Sequence, residues 1–96
     1  MQFINFLVDC SAMSWIRRRG HHLQDNDHFN INEVTEWNTC KEHCVNMAEW
    51  GCISFDINYA TKICYLSRMD AHDGTLAENI LYDYGEDCQG EYNKSP

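Results

Sequence analysis

Between residues 35 and 50 the apolar positions Trp37, Cys40, Cys44, Met47 and Ala48 recur every three or four residues, a spacing that places them on one face of a helix. Thr35 is suited to cap that helix and Glu36 to its first turn, where free N–H groups and the helix dipole favour oxygen acceptors and negative charge. Gly51 follows directly and predicts a left-handed stop. The period then drops to two. Cys52, Ser54 and Asp56 alternate with Ile53, Phe55 and Ile57, which predicts a strand with one polar and one apolar face. Residues 58–61 read as a turn and residues 63–67 as the returning strand of a hairpin, so that two adjacent strands each carry a cysteine.

Weaker patterns flank this centre. Residues 80–84 predict a last strand ending just before Cys88, behind a polar loop at 70–74. Upstream, residues 3–8 and 14–18 read as strands and residues 24–32 as a polar loop. The sequence of 96 residues has room for one domain. Its expected extent is 1–90, with 91–96 a tail or linker.

A hydrophobic fraction of 44%, with one Pro and five Gly, is the composition of a packed globular chain. Seven Lys and Arg against fifteen Asp and Glu leave a net charge of −8, which repels nucleic acid and anionic membrane. No apolar run approaches the length of about 18 residues needed for a spanning helix, so no membrane insertion is expected. Residues 1–8 are too short, and lack the basic flank, for a signal peptide.

The six cysteines, at 10, 40, 44, 52, 64 and 88, change the picture most. An even count in so short a chain predicts a disulfide framework and an extracytoplasmic location, secreted or on the outer cell surface. Zinc would need a second close pair to complement Cys40 and Cys44, and none exists; nor is there a Cys-x-x-Cys for thiol exchange. His21, His22, His28 and His72 show no ligand-like period, so neither a metal nor any other cofactor is expected. Cys40 and Cys44 lie one turn apart on the same helical face, so each reaches outward rather than to the other. Cys44 is then placed to bond Cys52 across the helix end and Cys40 to bond Cys64 on the second hairpin strand. Cys10 and Cys88 remain, tying the first segment to the last.

The runs Cys40-Lys41-Glu42-His43-Cys44, Gly51-Cys52-Ile53-Ser54-Phe55-Asp56, Lys62-Ile63-Cys64-Tyr65-Leu66 and Tyr82-Asp83-Tyr84-Gly85-Glu86-Asp87-Cys88 together resemble the PAN/apple domain family, from about Cys10 to Cys88. The resemblance implies an α+β fold, with about five antiparallel strands cradling one α-helix and the same three disulfides. The outer Cys10–Cys88 bridge would mark the six-cysteine apple subtype. The resemblance also implies a non-catalytic module that binds proteins or carbohydrates in larger extracellular proteins. Family members share the scaffold and diverge in ligand.

Two sets of residues are candidate binding sites. The run Trp15-Ile16-Arg17-Arg18-Arg19-Gly20-His21-His22 concentrates cations in an acidic chain. Guanidinium groups match sulfate and phosphate oxygens, so Trp15, Arg17, Arg18, Arg19, His21 and His22 could hold a sulfated glycan or an acidic protein. The competing expectation is a strand whose arginines alternate into water and neutralise nearby carboxylates. The second set is aromatic: Trp50, Tyr59, Tyr65, Tyr82 and Tyr84 could stack on sugar rings, although small domains also need such rings for packing. Catalysis is not expected. Asp25 with Asp27, Glu86 with Asp87, and His72 beside Asp73 each lack the rest of a calcium loop or triad. A structural or self-assembly role in a matrix, coat or adhesive is the alternative to ligand capture.

Overall fold

The structure is a computed structural model in which residues 15–24 and 28–88 are described. Among the described residues five antiparallel strands form one sheet, ordered β1-β5-β3-β4-β2, with a single α-helix packed on one face. The strands are β1 (Trp15–Leu23), β2 (His28–Asn32), β3 (Ser54–Asn58), β4 (Ile63–Ser67) and β5 (Leu76–Asp87), and the helix is α1 (Trp37–Asn46). The α+β architecture of one helix on a five-stranded sheet is the one expected.

Helix α1 buries Trp37, Cys40 and Cys44, the stripe predicted from their spacing. Its limits are narrower than the sequence suggests. Glu36 occupies the cap position without a side-chain hydrogen bond, in place of Thr35, and the chain departs from α geometry at Met47 before a 3-10 turn over Ala48–Trp50. Gly51 takes the predicted left-handed conformation, φ 101°, but ends this 3-10 turn rather than the α-helix. With few good capping groups, the helix depends on its ties to the sheet. Cys40 bonds Cys64 on β4, and Cys44 bonds Cys52 just before β3, as the spacing predicted. Cys88 is buried at the end of β5; its expected partner Cys10 lies outside the described residues, as do the strand expected at 3–8 and the tail at 91–96.

The core between helix and sheet contains Val34, Trp37, Phe55, Ile57, Leu66 and the four bridged cysteines, with Trp15, Ile31, Met47 and Trp50 packed around it. Gly85 sits beneath two of its rings. A Cβ there would come within 2.4 Å of Phe55 and 2.9 Å of Trp37, so the indole and the phenyl ring approach the sheet closely only because position 85 has no side chain.

Three expectations are corrected. Residues 28–32 are not loop: His28–Asn32 pairs with β4 from His28↔Ser67 to Asn32↔Ile63. Phe29 and Ile31 do alternate, but three polar neighbours mask the period, and what fixes the strand is the open edge that β4 offers. Cys52 precedes β3 instead of lying within it. Strands β1 and β5 are longer than predicted, because each supplies the other's partner along most of its length.

Their pairing is interrupted between Arg19 and His21, where four residues of β5 (79–82) face the single Gly20 of β1. Gly20 meets the required φ of 68° without steric cost. Beyond this bulge the β1–β5 ribbon bends across the sheet, bringing the Leu23 N–H to the Asp56 carboxylate of β3 at 3.0 and 3.2 Å.

Candidate functional site

Residues paired across strands share a face. Phe55, Ile57, Leu66 and Cys64 project toward α1, so Ser54, Asp56 and Asn58 of β3 and Tyr84 and Glu86 of β5 occupy the opposite face. That second face is also closed from water: Ser54, Asp56, Asn58, Ser67, Asp70, Tyr84 and Glu86 are all buried. Those around Tyr84 are satisfied locally. The Tyr84 hydroxyl donates to Glu86 Oε1 at 2.8 Å and accepts from the Ala71 N–H at 2.8 Å, while Ser54 Oγ donates to the Met69 carbonyl. Burial and the adjacent Glu86 carboxylate raise the Tyr84 phenol far above its ordinary value.

Where the ribbon bends over this face it leaves a cleft of about 380 Å³, lined by His22, Leu23, Gln24, His28, Asp56, Tyr65 and Tyr82. Leu23 and Asp56 are only 2% and 4% exposed and form its floor. The walls are an unbroken arc of rings. His22 stacks on Tyr82 at 4.7 Å, Tyr82 lies 6.2 Å from Tyr65, and His28 meets the Tyr65 ring at 5.2 Å. Burial raises the Asp56 carboxyl from 3.8 to about 7, against the opposing effect of the Leu23 N–H. Burial, followed by neighbouring Tyr82, likewise raises the Tyr65 phenol.

The basic run on β1 is divided by the strand's alternation. Arg17 points to the helix side, where its guanidinium bonds Asp83 Oδ2 at 2.9 Å, contacts the Tyr59 hydroxyl at 3.2 Å and lies 5.0 Å from the Trp37 ring. Burial opposes ionisation of Asp83, but donors from Arg17, the Gly20 N–H and Tyr59 prevail and hold its carboxyl below the ordinary value. Trp15 packs against Phe55 at 5.7 Å. Arg18 and Arg19 are exposed and project to opposite faces. Arg19 and His21 line a second depression, of about 390 Å³, over the bulge with Gly20, Glu78, Asn79 and Ile80. His22 alone of the run enters the first cleft.

Of the aromatic set, Tyr65 and Tyr82 line the cleft, Tyr84 is buried beneath it, Tyr59 holds Asp83, and Trp50 lies under Arg68, whose guanidinium is 4.4 Å from its ring. Asp56 and His28 were absent from both candidate sets. Alternation marked Asp56 as the polar side of a strand, and only the ribbon folding over that side turns it into a buried lining residue. Among the described residues no three His, Cys, Asp or Glu side chains gather as a metal site, and no helix is long and apolar enough to cross a membrane.

No curated protein matches this chain. The family model for the PAN domain matches residues 10–89, a span that takes in every cysteine, the helix and all five strands. PAN domains are in general non-catalytic modules that bind proteins or carbohydrates, and with their disulfides they are typical of extracellular proteins. The matched span, the helix tied to its sheet by two bridges and the strand order agree: the chain belongs to the PAN domain family.

Proposed function

We propose that this PAN domain serves as a recognition module of a secreted or cell-surface protein, capturing an extracellular protein or glycan without chemical turnover. The observation that carries this reading is the cleft opposite the helix, where four rings and a buried carboxylate converge on a volume suited to a sugar ring or one protruding side chain. Screening the oxidised chain against glycans and candidate extracellular proteins, with Tyr82→Ala and His28→Ala beside the wild type, tests it. Both variants are expected to keep the fold and lose binding. Undiminished binding by both would move the site elsewhere.

A second reading is favoured by the depression at the bulge. Arg19 and His21 line it, and Arg18 lies one residue away with no acidic partner among the described residues, so a sulfated glycan or acidic surface could dock on this side of the molecule. Arg17 and Trp15, engaged with Asp83 and Phe55, would support that docking by holding the strand in place.

A further inference from the structure

We infer that the occupant of the cleft presents an alkylammonium group, seated against the Asp56 carboxylate and enclosed by the rings of His22, Tyr82, Tyr65 and His28. The inference rests on the cleft being the recognition site and adds the chemistry of what enters it. Three observations carry it.

First, the floor carboxylate is short of partners. Among the described residues its only hydrogen-bond donor is the Leu23 N–H, shared between Oδ1 at 3.0 Å and Oδ2 at 3.2 Å. An ionised carboxylate accepts about four hydrogen bonds, and one so buried is costly until a counter-charge or further donors arrive. Asp83 shows the contrast within the same sheet, with Arg17, Tyr59 and the Gly20 N–H all donating to it.

Second, the walls suit a cation. π faces attract an ammonium within about 6 Å, most strongly where water is excluded. The arc from His22 through Tyr82 and Tyr65 to His28 supplies four such rings, and among the described residues no Lys or Arg lines the cleft. Arg18 shares this sheet face but stands two strands away from Asp56, outside the lining.

Third, the position of the Leu23 N–H selects among cations. It sits between the two carboxylate oxygens, where the paired N–H groups of a guanidinium would have to lie. An ammonium, a compact charge with donors in several directions, can approach either oxygen from the side. Burial supports the same reading, because the Asp56 carboxyl is raised to about 7. An ammonium stabilises its ionised form, so binding should release a proton and strengthen as pH rises through neutrality. The other titratable groups facing Asp56 are His22 on β1, His28 on β2, Tyr65 on β4 and Tyr82 on β5, and burial raises the Tyr65 phenol.

The test is amide-shift NMR on the oxidised chain at constant ionic strength. The probes are n-butylammonium, methylguanidinium and a neutral methyl glycoside, applied at about pH 5.5 and about pH 8. Expected are saturable shifts from butylammonium at residues 22, 23, 56 and 82, weaker by at least about tenfold in Asp56→Asn and weaker in the wild type at the lower pH. If Asp56→Asn does not fold, the wild-type comparison of butylammonium with methylguanidinium still decides the matter. Shifts unaffected by Asp56→Asn and by pH, or tighter binding of methylguanidinium, would overturn the ammonium assignment. If the glycoside alone perturbs these amides, the cleft remains the recognition site and only the ammonium fails. If no probe perturbs them, both readings fall.

Discussion

A carboxylate that alternates with apolar residues along a strand, as Asp56 does between Phe55 and Ile57, ordinarily faces water. Here it is 4% exposed, and its pH behaviour reverses the usual acidic pattern. Because its folded-state value is raised above that of the unfolded chain, the folded protein holds the extra proton between about 3.8 and about 7. Stability from this group therefore falls as pH rises through that window and is level above it. The displacement corresponds to at most on the order of 4 kcal/mol. Urea denaturation of the wild type and Asp56→Asn from pH 4 to 8 should show the variant gaining on the wild type as pH rises, with other titrating groups cancelling in the difference. Parallel profiles would mean that the carboxyl is solvated. Gly85 makes a complementary point: nothing in the run Tyr84-Gly85-Glu86 reveals that two aromatic rings rest on it, because the close approach is a property of Trp37 and Phe55, far away in sequence.

At the scale of elements, α1 was legible from its apolar spacing and β4 from its flanking turn, since each signal is local. Strand β2 was not legible, because its edge position leaves most of its residues exposed and polar, and its partner strand supplies the order. The two described disulfides connect the legible parts. Cys40–Cys64 closes a separation of 24 residues and Cys44–Cys52 one of 8; constraint of the unfolded chain alone would contribute about 3.5 and about 2.5 kcal/mol respectively. Replacing Cys40 and Cys64 together by Ser should accordingly cost more in urea denaturation than replacing Cys44 and Cys52. The reverse order would show that pinning the helix end to β3 matters more than loop length.

For the whole molecule, a net charge of −8 sets long-range repulsion against anionic ligands, and the exposed guanidinium groups of Arg18 and Arg19 oppose it locally. Retention on a heparin column at low salt measures which prevails. Arg18→Ala with Arg19→Ala should elute earlier than the wild type, whereas unchanged elution would remove the sulfated-ligand reading. Arg17 does not belong in that comparison, because losing it would strand the buried Asp83 and confuse folding with binding. Sedimentation at high concentration bears on the assembly alternative: self-association with no ligand bound would favour it, and a strict monomer would count against it.

The order of cysteines, the helical stripe and the hairpin were determined by the sequence itself, because covalent spacing and local periodicity express themselves over a few residues. Those features sufficed to suggest the family and the inner disulfide pairing. The cleft was decided only by tertiary structure. It exists because Gly20 and residues 79–82 bend one ribbon over the polar face of a distant strand, burying Asp56 beneath rings drawn from four strands. No stretch of sequence contains those groups together, and the charge, burial and aromatic enclosure that give them a chemical preference arise only when the sheet is assembled.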